Sequence, residues 1–300
     1  TLSHLLKYDS IHGVLKESIS WDDQGLVVNN RSIPLYNQSH PSELDWSKFQ
    51  PDFVVESTGK FKAKAELQHH INNGAKRVIL SVPSQEDDIK TIVLGVNDSL
   101  LNGTETILSN ASCTTNNAAP MIALIKEHFG IKQAYITTIH SYTTDQSLHD
   151  QPHRDLRRAR AAGQSIVPTT TGAAKALTKI FPDLANVIGG CGIRVPVANG
   201  SLTDITINVE KQTSIDEVNS IFKNASKTSL KGILEYTEDP IVSIDIVGNP
   251  HSCIFDSQMT SVIGNMIKIV GWYDNETGYS SRILDLICNL SDKKALLSNK

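Results

Sequence analysis

The stretch SNASCTTN, residues 109–116, decides the fold because it joins two different kinds of pattern. The run Thr106-Ile107-Leu108 precedes it, and residues 117–129 (NAAPMIALIKEHF) follow with apolar side chains near helical spacing. A strand is therefore expected to enter a tight turn and then a helix, with Cys113 at or just before the helix start. A thiol there lies near unpaired N–H groups and the positive end of the helix dipole, which favour the nucleophilic thiolate and a lowered pKa. The alternative is a cysteine that only fills the turn.

The composition is that of a globular protein with no obvious polyanionic partner. Hydrophobic residues make up 39% of the 300 positions and charged residues 20%, which allows two domains of ordinary size. The net charge of −4 argues against nucleic acid or an anionic membrane as partner. No apolar run approaches the ~20 residues that cross a bilayer. The four cysteines match neither a metal-binding nor a disulfide spacing, so we expect no metal and a reducing, cytoplasmic setting.

Three apolar runs in the first part of the chain end in small polar residues. Residues 53–56 lead into Ser57-Thr58-Gly59, residues 77–80 lead into Ser81, and the run before SNASCTTN is the third. A helical stretch, residues 63–72, separates the first two runs. The order strand, helix, strand, with small residues at the strand ends, predicts an α/β unit with a Rossmann-type parallel sheet that binds a ligand at its carboxyl edge.

Beyond Cys113 the pattern changes, and several strand-like segments alternate apolar with polar residues. This alternation is typical of an antiparallel sheet with one covered face, so the second domain is expected to be α+β and mainly antiparallel. The expected strands are 134–139, 202–209, 241–247 and 266–272, and the expected covering helices are 172–181 and 215–225. A last helix, residues 278–290, has an apolar stripe that favours packing on the first domain.

Candidate partners for the thiol lie in the polar turns of this second half. His140 ends one expected strand and is a candidate base, although a histidine there is also an ordinary structural hydrogen-bonding group. The arginines of RDLRRARAA (154–162), followed by PTTTG (168–172), suit an anion at a helix N-terminus, or else form a solvated basic loop with a plain N-cap. Arg194, alone in an apolar run, needs an anionic partner if it is buried.

Six motifs occur along the chain in one order. They are SNASCTTN (109–116), HSYT (140–143), DLRRARAA (155–162), PTTTGAAKA (168–176), RVP (194–196) and WYDNE (272–276). Together they resemble phosphorylating glyceraldehyde-3-phosphate dehydrogenase, and the resemblance runs from LLKYDSIHG (5–13) to the last helix. It implies a nucleotide-binding domain at residues 1–111, completed by a C-terminal helix at 276–300, and a catalytic domain at 112–275.

The resemblance also implies roles for individual residues. Cys113 attacks the aldehyde, and His140 activates the thiol and takes the hydroxyl proton during hydride transfer. The residues assigned to the substrate phosphate are Thr143, Asp145 and Arg194, and those assigned to the attacking inorganic phosphate are Ser112, Thr114, Arg158, Thr171 and Gly172. The residues assigned to the nicotinamide are Asn275 and Tyr279, and those assigned to the adenosine are Ser57, Thr58, Gly59, Phe61 and Ser81.

The implied reaction is NAD-dependent oxidative phosphorylation of D-glyceraldehyde 3-phosphate to 1,3-bisphosphoglycerate, through a thiohemiacetal and a thioester on the cysteine. The partners are then a small phosphorylated aldehyde and inorganic phosphate, with no nucleic acid and no membrane, in a cytoplasmic homotetramer. NADP stays an open alternative to NAD. Two other functions also stay open: erythrose-4-phosphate dehydrogenase, which the intact Thr171-Gly172 disfavours, and a non-catalytic binding or assembly subunit, which the intact Cys113, His140 and Arg194 disfavour.

Three departures from the family pattern bear on these expectations. The Gly-rich dinucleotide fingerprint lies before LLKYDSIHG in the family and does not occur in these 300 residues, so a chain of this length is expected to form an incomplete Rossmann domain and to bind NAD weakly. Asn117 stands where many relatives carry a second cysteine, which is not the nucleophile. Ser39-His40-Pro41 replaces a common Arg-Asp-Pro near the adenine, which affects only that contact.

Overall fold

The computed structural model of this protein describes residues 1–23 and 25–298. The α-helices are α1 (Leu2–Lys7), α2 (Lys64–Asn72), α3 (Cys113–Phe129), α4 (Ala173–Ile180), α5 (Ile215–Lys227) and α6 (Thr277–Ser298). The strands are β1 (Tyr8–Asp9), β2 (Gly13–Val14), β3 (Ile19–Asp22), β4 (Gly25–Val28), β5 (Arg31–Pro34), β6 (Val54–Glu56), β7 (Val78–Leu80), β8 (Lys90–Thr91), β9 (Ile107–Ser109), β10 (Gln133–Ser141), β11 (Val167–Thr169), β12 (Ile188–Val195), β13 (Ser201–Asn208), β14 (Leu234–Thr237), β15 (Cys253–Asp256), β16 (Ser261–Ile263) and β17 (Met266–Tyr273).

The first part of the chain contains a four-stranded sheet whose neighbouring strands are all parallel. Its order is β6-β7-β9-β8, and α2 connects β6 to β7. Ile79 and Leu108 from this sheet pack with Leu286 and Leu290 of α6, so the last helix covers part of it. The predicted Rossmann-type parallel sheet is confirmed. The three predicted strand ends therefore lie along one edge of the sheet.

Smaller antiparallel elements precede this sheet. β1 pairs with β2, and β3, β4 and β5 form a three-stranded sheet of their own. The sequence patterns did not predict these strands, because they are at most four residues long and most residues of β3 and β5 are exposed. Short exposed strands lack the apolar alternation by which a half-buried strand is recognised.

The second part is built on an eight-stranded mixed sheet. Its order is β11-β12-β10-β13-β17-β15-β14, and β16 pairs with β17 beside this path. The pairs β10–β12 and β14–β15 are parallel and the other pairs are antiparallel, so the mainly antiparallel sheet is confirmed. Met121 and Ile122 of α3 are fully buried with Ile205 and Ile267 of the sheet, which places the core between α3 and one sheet face.

The predicted strand at residues 241–247 is wrong. The segment forms turns in which the Asp245 carboxylate accepts the Val242 N–H at 2.8 Å. Ile244 is 72% exposed, so its β-branched side chain packs into no sheet. Side-chain capping of a turn here outweighs the strand propensity of Ile and Val.

The sequence patterns also did not predict β12, because its first five residues, 188–192 (IGGCG), contain three glycines. In the structure these glycines allow close packing of two strands. A Cβ atom on Gly190 would lie 2.7 Å from the carbonyl oxygen of Ile136 on β10. β12 therefore lies tightly against β10 along its whole length.

The C-terminal helix assigned to residues 276–300 is α6, which runs from Thr277 to Ser298. Residues 299 and 300 lie outside the described residues. Within the described part of the chain, no helix is both long enough and apolar enough to cross a bilayer. The division of the chain at residues 111/112 and 275/276 stays a prediction.

Candidate active site

Cys113 is the first residue of α3, at the position expected from the sequence. Ser112 is the N-cap, and its hydroxyl accepts the Thr115 N–H at 3.2 Å. The preceding Ala111 has φ +57°, a left-handed conformation that residues with a side chain seldom adopt. The Tyr279 hydroxyl donates to the Ala111 carbonyl at 3.1 Å. The turn is therefore tied to α6, and it places the thiol at the positive end of a 17-residue helix.

His140 and Arg194 meet because their strands run side by side. β10 and β12 are parallel, and their register places His140 opposite Arg194. His140 Nε2 lies 3.5 Å from Cys113 Sγ. A nucleophile, a candidate base and a cation thus come together from α3, β10 and β12.

The His140 ring has several polar neighbours. Its Nδ1 atom lies 2.8 Å from the Ser141 carbonyl oxygen and 2.6 Å from Arg194 Nη1, which also donates to Ser141 O at 2.8 Å. In the tautomer with a proton on Nδ1, this N–H is donated to Ser141 O, and Nε2 is free to accept the thiol proton. In the other tautomer, Nδ1 has no proton and accepts an N–H from Arg194. The tautomer of His140 therefore depends on where Arg194 directs its N–H groups.

The buried Tyr273 hydroxyl links the start of α3 to β10. It lies 2.9 Å from Thr114 Oγ1 and 2.8 Å from Thr138 Oγ1. The Tyr273 ring also packs edge-on against the His140 imidazole, with ring centroids 5.9 Å apart. These contacts fix the helix start that carries Cys113 relative to the strand that carries His140.

The electrostatics of the pair differ from what a helix start alone predicts. Burial raises the pKa of the Cys113 thiol, and the Thr114 backbone N–H and the Arg194 charge only partly oppose this. Burial, and then the positive charge of Arg194, lower the pKa of His140 to about 3. The lowered thiol pKa predicted from the sequence is therefore wrong for this structure. The burial of the two groups therefore favours their neutral forms, a thiol beside an imidazole.

A cavity of about 210 Å³ opens beside this cluster. The predicted site residues that line it are Ser112, Cys113, Thr114, His140, Arg158, Thr171, Gly172 and Arg194. The lining residues that the sequence analysis did not select for the site are Pro83, Thr138, Thr169, Thr170, Ala173 and Gly192. The cavity therefore joins the thiol to both of the arginines that were singled out.

Arg158 forms an ion pair with Asp145 at the side of this cavity. Its Nη1 atom contacts the Asp145 carboxylate, and its Nε atom donates to Thr169 Oγ1 at 3.0 Å. Asp145 and Thr143 do not line the cavity. The structure thus does not gather Thr143, Asp145 and Arg194 into one pocket, because the Asp145 carboxylate is paired with the other guanidinium.

The start of α4 contributes backbone N–H groups to the same cavity. Gly172 is the N-cap of this eight-residue helix, and the Ala173 N–H donates to Thr171 Oγ1 at 3.2 Å. Two guanidinium groups and a helix N-terminus are all suited to phosphate oxygens. Arg194 lies beside His140 and Arg158 lies beside Thr169, and we call these two positions the two cationic sides of the cavity.

The residues predicted to hold the adenosine lie at the carboxyl edge of the parallel sheet. Ser57-Thr58-Gly59 directly follows β6, and Ser81 directly follows β7. Gly59 has φ +71° and open space where a side chain would be, so the loop leaves room for a ligand. Phe61 packs edge-on against His40, with ring centroids 5.1 Å apart. Pro83, two residues after Ser81, also lines the cavity at Cys113.

The residues predicted to hold the nicotinamide lie just after β17 and in the first turn of α6. Asn275 Oδ1 accepts the hydroxyl protons of Ser141 at 2.8 Å and Ser201 at 2.9 Å. These two bonds orient the amide and leave its NH₂ group as a donor for a ligand oxygen. Tyr279 follows four residues later and reaches the turn before Cys113. Among the described residues, no group of three or more His, Cys, Asp or Glu side chains could hold a metal ion.

Comparison with known protein families agrees with this geometry. The family model described as glyceraldehyde 3-phosphate dehydrogenase, C-terminal domain, matches residues 112–275. The model described as glyceraldehyde 3-phosphate dehydrogenase, NAD binding domain, matches residues 1–64. The chain belongs to the glyceraldehyde-3-phosphate dehydrogenase family. The resemblance drawn from the six motifs is confirmed.

Curated relatives extend this dehydrogenase assignment over most of the chain. Glyceraldehyde-3-phosphate dehydrogenase 2 of Streptomyces avermitilis is 50% identical over 288 residues, which are 95% of this chain and 86% of the relative. Glyceraldehyde-3-phosphate dehydrogenase 1 of Bacillus cereus is 46% identical over 295 residues, 98% of this chain and 88% of the relative. Glyceraldehyde-3-phosphate dehydrogenase of Mycobacterium tuberculosis H37Rv is 50% identical over 289 residues, 96% and 85% respectively.

In this member of the glyceraldehyde-3-phosphate dehydrogenase family, two of the unselected cavity residues had a signal in the sequence. Thr138 lies two residues before His140 on an alternating strand, which places both side chains on one face. Thr170 adjoins the selected Thr171 within PTTTG. Gly192 had no such signal, because it reaches the cavity only through its pairing with Thr138 across β10 and β12.

Proposed function

We propose that this chain catalyses the NAD-dependent oxidative phosphorylation of D-glyceraldehyde 3-phosphate to 1,3-bisphosphoglycerate in glycolysis. The observation that supports it most is the 3.5 Å contact between Cys113 Sγ and His140 Nε2, next to Arg194. Family membership over both matched regions supports the same activity. So do relatives that carry this enzyme's name at about 50% identity.

The first step is addition of the thiol to the aldehyde. Neutral His140 accepts the Cys113 proton at Nε2 while its Nδ1–H is donated to Ser141 O. The sulfur bonds to the carbonyl carbon, and the carbonyl oxygen takes the proton back to become the hydroxyl of a thiohemiacetal. The Cys113 N–H at the start of α3 stabilises the charge that develops on this oxygen.

Arg194 couples substrate binding to the strength of this base. A phosphate group held by Arg194 competes for the N–H that otherwise reaches His140 Nδ1. It also offsets the positive charge that helps to lower the pKa of His140. Both effects raise the basicity of the imidazole, so the base becomes stronger when the phosphorylated aldehyde is bound.

Oxidation and phosphorolysis then occur on the same cysteine. NAD, when bound, supplies the acceptor for the hydride that leaves the thiohemiacetal carbon. His140 takes the hydroxyl proton, so Cys113 is left carrying a thioester. Inorganic phosphate attacks the thioester carbonyl, the C–S bond breaks, and the acyl phosphate leaves. The Cys113 thiolate then regains its proton from His140.

The two phosphate groups are proposed to use the two cationic sides of the cavity. Arg194 holds the phosphate of the aldehyde, close to the base. The attacking phosphate is held by Arg158, by Thr171 and Gly172 at the start of α4, and by the hydroxyls of Ser112 and Thr114. Thr143 and Asp145 act at the outer side of these sites, where Asp145 sets the orientation of Arg158.

NAD fits the residues available for it. The carboxyl edge of a parallel sheet is where such folds bind dinucleotides, and the open loop at Gly59 lies there. Ser57, Thr58, Phe61 and Ser81 would contact the adenosine side. Asn275, whose oxygen is already engaged, would donate its NH₂ group to the nicotinamide carboxamide. Tyr279 would pack beside the same ring.

A homotetramer and a cytoplasmic location complete the proposal. The outer face of the eight-stranded sheet exposes Tyr135, Ile263 and Met266, which favours burial against other copies of the chain. Four free cysteines are compatible with a reducing compartment. Size-exclusion chromatography with light scattering checks the assembly, since a monomeric mass at micromolar concentration would contradict it.

The activity is tested by following NADH absorbance with D-glyceraldehyde 3-phosphate as substrate. Turnover should require inorganic phosphate and should be abolished in Cys113→Ala. Cys191→Ala is the matched control, because Cys191 is also a free cysteine but lies outside the cavity lining. Faster turnover with erythrose 4-phosphate, or reduction of NAD by Cys113→Ala, would contradict the proposal.

A further inference from the structure

A chain of buried hydrogen bonds lies behind the loop at the end of β6. The Trp46 indole N–H donates to His70 Nδ1 at 3.2 Å, and His70 Nε2 lies 3.3 Å from Glu56 Oε2. Only 3% of His70 and 4% of Glu56 is exposed. Because the indole occupies Nδ1 as a donor, the neutral ring carries its proton on Nε2 and donates it to Glu56.

The other oxygen of Glu56 holds the loop itself. Glu56 Oε1 accepts the Thr58 N–H at 2.9 Å and the Thr58 hydroxyl at 2.5 Å. The Thr58 hydroxyl oxygen in turn accepts the Lys60 N–H at 3.1 Å. The path of the backbone from Glu56 to Lys60 is therefore set by one carboxylate, while Ser57, Thr58 and Gly59 stay exposed at the edge of the sheet.

A buried carboxylate is a costly way to end a strand, because its charge must be fully hydrogen-bonded. Burial favours the neutral acid, but the hydrogen bonds from His70 and Thr58 outweigh it and lower the pKa of Glu56. The neighbouring β7 ends in the buried Leu80 and needs no such group. The charge at Glu56 therefore serves the exposed loop more than the packing of the sheet.

We infer that Glu56 is a positioning residue for NAD, acting through Thr58, and that His70 and Trp46 hold Glu56 in place for this purpose. The inference rests on the adenosine side of the proposed cofactor site. When the carboxylate loses its charge, the two hydrogen bonds that Thr58 donates to Oε1 weaken, and the loop samples conformations that do not match the cofactor. The cost appears in cofactor affinity, since Glu56 itself is buried beneath the loop.

The chain offers a matched control for this inference. Glu105 is also a carboxylate with a 7% exposed side chain, and it accepts the N–H groups of Asn102 and Gly103 and the ammonium of Lys90. It fixes a loop just before β9, at the amino edge of the same parallel sheet. Glu56→Gln and Glu105→Gln therefore remove similar charges at opposite edges, and only the first lies at the proposed cofactor edge.

The test is calorimetric titration with NAD of the wild type, Glu56→Gln, Trp46→Phe and Glu105→Gln, with kcat and KM for NAD measured in parallel. Glu56→Gln should bind NAD about tenfold more weakly, and Trp46→Phe about threefold, since each loses a hydrogen bond of the chain. Both should keep kcat at saturating NAD. Glu105→Gln should lose thermal stability with no change in NAD affinity.

Two results would overturn the inference. Unchanged NAD affinity in Glu56→Gln together with a lowered melting temperature would assign Glu56 a structural role alone. Equal losses of affinity in Glu56→Gln and Glu105→Gln would show a general effect of destabilising the sheet. If Glu56→Gln does not fold, Trp46→Phe decides, because it keeps the ring and removes one N–H. Absence of any NAD heat in the wild type would instead remove the proposed cofactor site itself.

Discussion

Replacing Arg194 with Leu, and comparing two aldehyde substrates, separates the contact of Arg194 with the substrate phosphate from its contact with His140. In the structure Arg194 Nη1 donates to Ser141 O and lies 2.6 Å from His140 Nδ1. A hydrogen bond to a charged group contributes about 1.5–3 kcal/mol, so loss of the phosphate contact should lower kcat/KM for glyceraldehyde 3-phosphate by about 10- to 150-fold. Loss of the Arg194 charge should also raise the pKa of His140, because that charge helps to lower it, and this effect needs no phosphate on the substrate.

The assay is therefore a ratio. Values of kcat/KM for glyceraldehyde 3-phosphate and for unphosphorylated glyceraldehyde are measured in wild type and in Arg194→Leu, because only the phosphorylated aldehyde loses the phosphate contact. The ratio of the two substrates should fall by at least about tenfold, the lower bound for one charged hydrogen bond. Arg194→Lys, which keeps the charge but not the planar fork, should lie between the two.

Arg158→Leu is the control for this experiment, because it removes a guanidinium from the other side of the cavity. It should raise KM for inorganic phosphate and leave the ratio of the two aldehydes near that of the wild type. An Arg194→Leu enzyme that loses the same factor for both aldehydes would refute the reasoning. Arg194 would then act only on His140 and Ser141.

Three further predictions follow from buried polar groups. Burial favours the neutral form of Glu105, but hydrogen bonds from Lys90 and from backbone N–H groups outweigh it and lower the pKa of Glu105 from 4.5 to about 2. The stabilisation from this carboxylate is therefore present above pH 4.5 and is lost as the pH falls towards 2. In chemical denaturation, the unfolding free energy of Glu105→Gln should be about 3 kcal/mol below that of the wild type near pH 7 and equal to it near pH 2, and a difference independent of pH would contradict this. Tyr273→Phe leaves the Thr114 and Thr138 hydroxyls without their shared partner and should lower the unfolding free energy by about 1–3 kcal/mol. An unchanged midpoint of chemical denaturation would show that this hydroxyl bridge is dispensable. Burial raises the thiol pKa of Cys113, so the rate at which iodoacetamide alkylates it should still increase with pH above 9.0, the ordinary pKa of a thiol. Mass spectrometry measures this rate, and a rate that stops increasing below about pH 7.5 would contradict the prediction.

The sequence predicted those parts of the fold that local patterns specify. The strands before Ser57, Ser81 and SNASCTTN, and the helix that starts at Cys113, are set by short-range apolar spacing and by an N-cap serine. The segment 241–247 shows the limit of this reasoning. Its apolar residues read as a strand, but one aspartate side chain stabilises a turn instead.

The site could be predicted as a set of residues but not as a geometry. That His140 faces Arg194 depends on the register of β10 and β12, and β12 contains glycines that give no strand signal. The direction of the Cys113 pKa depends on how much protein surrounds the sulfur, which the sequence alone does not show. Likewise the pairing of Asp145 with Arg158, 13 positions apart in sequence, arises from the fold of the loop between β10 and β11.

The packing of α6 on the parallel sheet has a consequence for synthesis on the ribosome. The four strands of this sheet have all been made once Ser109 has emerged, but the helix that covers part of the sheet begins only at Thr277. At about 5–20 residues per second, the intervening stretch of about 170 residues takes roughly 10–30 s to translate. During that time the side of Ile79 and Leu108 that Leu286 and Leu290 later cover stays open to water. A nascent chain of this protein therefore displays a hydrophobic surface suited to chaperone capture until its last helix has been made.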